Sequence, residues 1–396
     1  MQKRSSSTES IEVLTTPVVW FMAVAAAVGT ATIYPLQPAI AVVAESVDSS
    51  VAAVGVALSC GPVGYLLGLA VLVPLVDRYP PRHLVALQFA VLGLALAASA
   101  VAGSPWLLGI TVGIIGAMST VGAQLSSVAG RFAPARRRAT TLGIVTAGIS
   151  GGIIGGRLFG GWLTDQIGWR NMLLVLSALC AVVASAVLLT LPAARGAVRS
   201  NCLTSLREMP MLHRRHPPLR TAAARGALWF FAFCAVWSGL AVALAQPPFG
   251  YSADTIGLFA LAGLLGMGAT WVAGASTDRV GARTVILIGL VLAGSSTAVL
   301  AISLHNTAAT LICLALDAGL FAAQVANQST VLSIDPTAPG RFNGAYMVPY
   351  FVGGSLGTAF GCVAVGWFGW STTALLAAGA IGVAAAQTSL LPHGEP

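Results

Sequence analysis

The amino-acid sequence predicts an all-α membrane protein, with twelve transmembrane helices arranged as two parallel six-helix halves. Three observations predict this class. Of the 396 residues, 57% are apolar and only 8% are charged, whereas a soluble domain carries about 25% charged residues. The apolar residues form long stretches, and a charged turn recurs in the second half of the chain. Despite a formal net charge of +8, a soluble enzyme, a disordered chain and a nucleic-acid-binding protein are therefore excluded.

Twelve apolar stretches account for the expected crossings. A helix needs about 20 apolar residues to span the hydrocarbon core, whereas a membrane strand needs about 10 residues of alternating polarity. The lengths therefore favour helices, and the 45 glycines suit membrane helices whose backbones approach closely. The stretches run near residues 17–41, 52–75, 84–103, 106–129, 139–163, 171–191, 222–245, 255–276, 284–304, 307–333, 343–365 and 371–391.

The distribution of basic residues predicts how the chain is divided and oriented. Every lysine and arginine except Arg157 and Arg170 falls on one side of the membrane when the amino terminus is placed inside. This asymmetry satisfies the positive-inside rule, so both termini are expected to be cytoplasmic. The expected segments are a cytoplasmic tail (1–16), a six-helix half (17–191), a cytoplasmic linker (192–221), a second half (222–391) and a cytoplasmic tail (392–396).

An internal repeat relates the two halves. Asp77-Arg78 recurs as Asp278-Arg279, an offset of 201 residues. The same offset relates Arg82 to Arg283, Gly143 to Gly344, Gly152 to Gly353, Gly156 to Gly357, Gly160 to Gly361 and Trp169 to Trp370. Two parallel repeats that rock about a central site are an architecture for transport.

The repeated turns resemble a motif of the major facilitator superfamily, G-x-x-x-D-R-x-G-R-R. The second copy, Gly274 to Arg283, keeps both glycines, whereas the first copy has Val73 and Pro80 in their places. The segment Tyr34 to Pro38, with Gly156-Arg157 and Gly168-Trp169-Arg170, is similar to motifs of the bacterial drug and small-solute exporters of that superfamily, which have twelve helices.

The resemblance implies the major facilitator fold and a secondary active transporter in the cytoplasmic (inner) membrane. It implies export of a small organic solute or drug by alternating access, in exchange for protons. Uptake of a small metabolite, proton-coupled or facilitative, stays open, because sequence does not fix direction. The expected partners are the solute, protons and the lipid bilayer, and a monomer is expected. No catalytic residue, metal site, cofactor or nucleic acid is expected, and no filter or charged ring indicates a channel.

Two departures weaken the resemblance to proton-coupled exporters. The fourth span lacks the arginine that such exporters carry, since Leu107 to Gln124 has no charge. In the fifth span, Gly152 replaces the proline of the motif G-P-x-x-G-G. The glycines Gly151, Gly152, Gly155 and Gly156 are expected to form a close-packed helix face.

Two charged residues within the spans are candidates for proton coupling. Asp317 is the one acidic residue deep within a predicted span, where a carboxylate is costly. It could carry a proton, neutralise Arg157 or accept hydrogen bonds between helices. Arg157 could point toward the outer face, pair with Asp317 or attract an anionic group of the substrate.

Polar and aromatic residues in the spans are candidates for the substrate cavity, which the family resemblance implies is lined by the first, fourth, seventh and tenth helices. An unpaired amide in hydrocarbon is costly, so these groups should face the cavity or hydrogen-bond between helices. The candidates are Tyr34, Gln37, Gln124, Trp237, Gln324, Asn327 and Gln328.

The repeated charged turns are the candidates for gating. The resemblance implies that they latch the outward-facing state, whereas the alternative is ordinary topology charge. The residues are Asp77, Arg78, Arg82, Asp278, Arg279 and Arg283.

Overall fold

The computed structural model describes residues 14–134, 137–191, 202–316, 318–335 and 339–390. Asp317 and the side chains of Asp77 and Asp278 lie outside this description. Within the described residues the regular structure is entirely helical, which confirms the all-α class. The helices are α1 (Thr16–Ala31), α2 (Ile40–Ser46), α3 (Val51–Leu58), α4 (Cys60–Val71), α5 (Pro81–Ala100), α6 (Pro105–Met118), α7 (Val121–Phe132), α8 (Arg138–Ile167), α9 (Trp169–Thr190), α10 (Cys202–Arg215), α11 (Pro217–Ala245), α12 (Ala253–Leu258), α13 (Leu264–Val280), α14 (Ala282–Ser303), α15 (Thr307–Leu316), α16 (Ala318–Ser333) and α17 (Pro339–Leu390).

The apolar helices match the twelve expected crossings. Nine helical stretches in the described residues are long and apolar enough to cross a membrane. One of them, Arg341–Leu390, covers two expected crossings and is interrupted at Gly369, whose φ of 76° is non-helical. Two shorter apolar helices, Thr16–Ala31 and Ala253–Gly266, lie at the first and eighth expected crossings.

Several crossings are broken where the sequence predicts continuous helices. The first is interrupted between Ala31 and Ile40 by a turn that contains Pro35 and Pro38. Proline lacks the N–H that a helix interior requires, so the helix ends before these residues. The second crossing changes to a 3₁₀ turn over Val73–Asp77, which contains Pro74. The break at Pro35 and Pro38 exposes backbone and side-chain polar groups within the bundle, where they contribute to the site described below.

The two ends of the helix bundle differ in charge. We call one the basic end, where the described arginines cluster near residues 78–82, 131–134, 137–138, 214–220 and 279–283. The other, here the opposite end, contains the turns near residues 46–50, 102–105, 167–169, 246–252 and 304–306. This separation of charge is the one that the sequence predicts.

The sequence repeat corresponds to a repeated packing of two helix pairs. In the first pair, a Cβ at Gly156 of α8 would clash with the carbonyl oxygen of Ala31 in α1. In the second, a Cβ at Gly357 of α17 would clash with the carbonyl oxygen of Phe231 in α11. The equivalent pairs one turn earlier are Gly152 with Ala27 and Gly353 with Ala227. Each crossing thus brings two backbones into direct contact, which only glycine allows.

The close packing involves only part of the expected glycine face. A Cβ at Gly151 would meet no described atom within 4 Å, and a Cβ at Gly155 would meet only Phe159 of its own helix, at 3.7 Å. Gly152, Gly156 and Gly160 are spaced by four residues and lie on one side of α8. Gly151 and Gly155 point about 100° away from that side.

Candidate functional site

A cavity of about 200 Å³ lies between helices from both halves of the chain. Its walls come from the turn after α1, from α3, α4 and α8, and from α11, α16 and α17. Aromatic side chains dominate the lining, and Arg157 is the one charged side chain among the described residues that form it. The aromatic residues are Tyr34, Tyr65, Trp229, Phe230, Phe233, Trp237, Phe321, Tyr350 and Phe351.

The α11 helix supplies one aromatic wall of the cavity. Trp229, Phe233 and Trp237 are spaced by four residues, so they share one face of the helix. Phe230 stacks on Tyr350, with ring centroids 4.0 Å apart and an interplanar angle of 11°. These contacts hold the rings in fixed orientations, so the wall is preformed.

The aromatic contacts also extend beyond α11. Phe233 meets Phe321 of α16 edge to face, with centroids 5.5 Å apart. Tyr65 of α4 contacts Phe351 of α17 at 5.0 Å, which joins the two halves of the chain. An apolar ring that enters the cavity would therefore meet flat aromatic surfaces on several sides.

Arg157 lies at the end of the cavity that is nearer the opposite end of the bundle. Its side chain is only 6% exposed, and its Nε donates a hydrogen bond of 2.8 Å to Oε1 of Gln37. The guanidinium carbon lies 4.6 Å from the centroid of the Tyr34 ring and 4.8 Å from that of Trp237. Two aromatic faces and an amide oxygen thus stabilise a buried cation that would otherwise be costly.

Beyond the Arg157 layer the space between the helices nearly vanishes. The cavity lined by Gln37, Arg157, Trp237, Leu240 and Ile256 measures only about 10 Å³. That volume has room for at most about one water molecule. The Arg157 layer therefore forms the floor of the aromatic cavity.

Close contacts between α8 and α12 seal the bundle at the opposite end. A Cβ at Gly161 would clash with the carbonyl oxygen of Ala253, and one at Gly257 would lie 2.7 Å from the carbonyl oxygen of Arg157. The backbone N–H of Asp254 also donates to Oδ2 of Asp165 at 2.9 Å.

A second pair of helices closes the same end. A Cβ at Gly55 of α3 would clash with the side chain of Cys362 in α17. Deeper in the bundle, the hydroxyl of Ser355 donates to the carbonyl oxygen of Ser59. The two seals lie on different sides of the bundle, and both join the first half of the chain to the second.

A separate polar cluster surrounds Arg225, which the sequence analysis assigns to the cytoplasmic side. Arg225 is only 5% exposed; its Nε donates to Oδ1 of Asn327 at 2.9 Å and its Nη1 donates to Thr388 at 3.1 Å. Asn327 in turn donates to Tyr346, and Tyr346 donates to Oε1 of Gln324. The cluster ties α11, α16 and α17 together.

The seven cavity candidates fall into two groups. Tyr34, Gln37 and Trp237 line the aromatic cavity. The other four make hydrogen bonds between helices instead: Gln324 and Asn327 in the Arg225 cluster, Gln124 to the carbonyl oxygen of Leu72 at 2.7 Å, and Gln328 to Asn343 at 2.8 Å. A buried amide can meet its hydrogen-bonding needs in a cavity or between helices, so polarity alone does not distinguish the two groups of residues.

Sequence reasoning missed most of the aromatic lining and the Arg225 cluster. The spacing of Trp229, Phe233 and Trp237 was a usable signal, because it marks one aromatic face in a predicted span. Arg225 lies four residues before Trp229, inside the predicted span 222–245, which was a second signal.

The predicted gating residues lie at the basic end. Arg82 and Arg283 occupy the first turns of α5 and α14, and Arg283 donates to the carbonyl oxygen of Ser389 at 2.8 Å. Arg78 follows the 3₁₀ turn, and Arg279 lies in the last turn of α13. The expectations for Asp317 and for the side chains of Asp77 and Asp278 fall outside the described residues.

These features define a class of protein: a helical, multi-pass membrane protein whose central cavity lies between two sets of helices and matches a small solute in size. The sequence profile of the Major Facilitator Superfamily matches residues 19–358. The chain belongs to this superfamily. It is therefore a secondary transporter of a small molecule in a lipid membrane, and it is not an enzyme.

Relatives of similar length are also named as transporters. The probable transporter SCO4007 of Streptomyces coelicolor is 32% identical over 353 residues, which cover 88% of this chain and 81% of the relative. The uncharacterized transporter YgaY of Escherichia coli is 30% identical over 361 residues, which cover 90% of this chain and 91% of the relative. These similarities extend over nearly the whole chain.

Solved structures show the same fold at low sequence identity. An inward-facing, unoccupied crystal structure of a bacterial homolog of the human lysosomal transporter Spinster gives a TM-score of 0.75 at 16% identity, covering 95% of this chain and 96% of that one. The nucleoside transporter NupG gives 0.76 at 14% identity, covering 94% and 97%. Both confirm the expected fold, and the exporter subgroup stays a prediction.

Proposed function

We propose that this protein exports a small organic solute from the cytoplasm by alternating access, in exchange for protons. The solute occupies the aromatic cavity above the Arg157 layer. The observation that carries this proposal is the position of the cavity between the two halves of the chain, next to seals that close one end. A cavity that is shared by two halves can be opened to either side by a rocking motion.

The proposed orientation in the membrane rests on the charge of the two ends. We place the basic end in the cytoplasm because cytoplasmic loops carry the excess of lysine and arginine. The seals formed by α8 with α12 and by α3 with α17 then close the outer side. In the export cycle that we propose, this is the state in which a cytoplasmic solute loads.

The parts that move in the proposed cycle are the two halves, residues 17–191 and 222–391. The protein works as a monomer in the inner membrane. Both of its termini lie in the cytoplasm. The close glycine crossings lie within each half, between α1 and α8 and between α11 and α17. Such crossings bury direct backbone contact and resist sliding. The contacts that must break during transport are those between the halves.

Proton coupling is assigned to Asp317, supported by its position as an acidic residue deep within a predicted span. A carboxylate in that setting gains most from becoming neutral, because burial in hydrocarbon penalises the charged form. In Asp317→Asn, transport should no longer depend on the pH gradient. A pH-gradient-dependent flux equal to that of the unchanged protein would exclude Asp317 from coupling.

Transport by purified protein in liposomes tests the proposal. We expect a panel of neutral, anionic and cationic aromatic solutes to include compounds that move against their gradient when a pH gradient is imposed. Collapsing the gradient should stop this movement. The direction of movement relative to the pH gradient distinguishes exchange from co-transport and hence export from uptake.

A matched pair of variants links the flux to the cavity. Ile153→Trp fills the cavity that Ile153 lines, whereas Ile288→Trp adds the same side chain at a position of α14 that is 62% exposed. Only the first variant should lose flux. If no solute moves in either direction, the proposed function is wrong.

A further inference from the structure

We propose that the transported solute is a small aromatic carboxylate, which binds with its carboxylate on the terminal nitrogens of Arg157 and its ring against the aromatic walls. This inference rests on the proposed function, because it names the substrate class of the same cavity. Charge, hydrogen-bonding capacity and shape of the site each support it.

The charge of the cavity favours an anion. Arg157 is the one charged side chain among the described residues that line the cavity, so the described lining carries a net positive charge. A buried cation usually sits in an ion pair, because the pair offsets the loss of hydration. Here the described contacts are an amide oxygen and two aromatic rings, which stabilise the guanidinium and leave its charge in place.

Among the described residues, the hydrogen bonds of Arg157 leave its two terminal nitrogens available. The Nε is used by Gln37, and the faces of the guanidinium lie near the rings of Tyr34 and Trp237. Neither terminal nitrogen donates to a described protein atom within hydrogen-bonding distance. A guanidinium presents these two donors in a fixed fork that matches the two oxygens of a carboxylate.

The orientation of the guanidinium is fixed before any solute binds. The bond to Gln37 anchors it to the turn between α1 and α2, and the ring of Trp237 restricts it from the other half of the chain. Pre-organised donors lose little conformational entropy on binding. The arrangement is therefore that of a binding group, since a purely structural arginine would use its terminal nitrogens in contacts with neighbouring helices, as Arg225 does.

The rest of the cavity suits an aromatic ring. Phe233, Phe230 and Tyr350 present ring faces and edges within the same space as Arg157. Aromatic rings in offset-stacked or edge-to-face geometry attract each other beyond the effect of area alone. A molecule with a flat ring and one carboxylate would fill both parts of the site, whereas a cation would meet the charge of Arg157.

Binding of three matched compounds to protein in lipid nanodiscs tests the inference. The compounds are 1-naphthoate, the neutral 1-naphthamide and the cationic 1-naphthylmethylamine, which share a ring system and differ in charge. Displacement of radiolabelled 1-naphthoate by each unlabelled compound measures the dissociation constants. We expect naphthoate to bind at least tenfold more tightly than naphthamide, and naphthylmethylamine to bind most weakly.

Two variants of Arg157 separate charge from structure. Arg157→Gln should bring the affinities for naphthoate and naphthamide to within about twofold, chiefly by weakening naphthoate. Arg157→Lys keeps the charge but loses the fork, so it should retain only part of the preference. Ile288→Trp, at a position of α14 that is 62% exposed, should leave the preference unchanged, because Ile288 does not line the cavity.

The outcomes separate this inference from the proposed function. Equal affinities for naphthoate and naphthamide in the unchanged protein would overturn the inference, and this comparison needs no variant to fold. Transport of neutral or cationic solutes only would also overturn it while leaving the proposed transport intact. Transport of no solute at all would overturn the proposed function itself.

Discussion

Arg157 and Gln37 are joined by a 2.8 Å hydrogen bond from Nε to Oε1, although 120 residues separate them in the sequence. The bond connects α8 to the turn between α1 and α2. One residue away, Gly156 packs directly on the backbone of Ala31. The guanidinium is therefore held by a rigid helix pair, so its position is set before a solute arrives.

The Gln37→Glu variant should neutralise the cavity without removing any side chain. A carboxylate at this position would lie within reach of the guanidinium and form an ion pair in place of the present hydrogen bond. We expect the preference for naphthoate over naphthamide to fall to about twofold or less. Folding should be kept, because the shape of the side chain is conserved. An unchanged preference together with a normal elution profile would contradict the role given to the charge of Arg157.

The glycine crossings predict opposite effects for two similar substitutions. Gly to Ala within a helix normally stabilises it by about 1 kcal/mol, so Gly151→Ala should be neutral or stabilising, since its Cβ would meet no described atom. Gly156→Ala should instead destabilise by about 1–3 kcal/mol, because its Cβ would clash with the carbonyl oxygen of Ala31. Thermal unfolding in detergent, followed by the loss of monodisperse protein, measures both. Similar unfolding midpoints for Gly151→Ala and Gly156→Ala would contradict the close packing of Gly156 on Ala31.

The repeat extends this prediction to the second half of the chain. Gly357→Ala should destabilise to a similar degree as Gly156→Ala, because its Cβ would clash with the carbonyl oxygen of Phe231. The control is Gly366→Ala, where a Cβ would meet no described atom within 4 Å. If Gly357→Ala and Gly366→Ala unfold at the same thermal midpoint, the two crossings are not equivalent.

Composition and repetition predict the fold well, because both are read from the order of residues without knowing which residues are in contact. The spacing of Gly152, Gly156 and Gly160 by four residues already indicates one helix face, whereas Gly151 and Gly155 join the set only if periodicity is ignored. Helix breaks are harder to predict. Pro35 and Pro38 fall within an apolar run, so hydropathy alone predicts one continuous helix there.

The site is less predictable, because its contacts join distant parts of the chain. Sequence reasoning identified Tyr34, Gln37, Arg157 and Trp237 separately, but nothing local shows that they meet. The same limit applies to Gln324 and Asn327, whose amides resemble that of Gln37 in the sequence and bind other helices in the structure. Which polar group faces a cavity depends on helix rotation, and helix rotation depends on packing across both halves.

The Arg225 cluster predicts a loss of stability when its acceptor is removed. Asn327→Leu deletes the oxygen that binds Nε of Arg225 and leaves a buried cation under-satisfied. Hydrogen bonds to charged groups contribute about 1.5–3 kcal/mol each, so the variant should lose at least that much stability. Gln328→Leu, one residue away and only partly buried, should lose less. Thermal midpoints of the two variants in the same detergent provide the comparison, and an equal loss would argue against the cluster as a support of the second half.

The seal at the opposite end contains its own reporter, because Cys362 is buried against Gly55 where the two halves meet. When the halves separate there, this thiol becomes accessible to a maleimide. In a background in which Cys60, Cys180, Cys202, Cys234 and Cys313 are replaced by serine, the labelling rate in detergent reports the open fraction.

Asp165→Ala should raise that rate, because it removes the carboxylate that accepts a hydrogen bond from the backbone N–H of Asp254 across the seal. Loss of about 1 kcal/mol from the closed state corresponds to roughly a fivefold increase in the open fraction. Glu45→Ala removes an exposed carboxylate from the same end of the bundle and should leave the rate unchanged. If Cys362 is labelled at the same rate in both variants, the bond to Asp254 does not hold the seal. If only Asp165→Ala labels faster, the α8–α12 contact and the α3–α17 contact open together, since the mutated residue and the reporter lie in different seals.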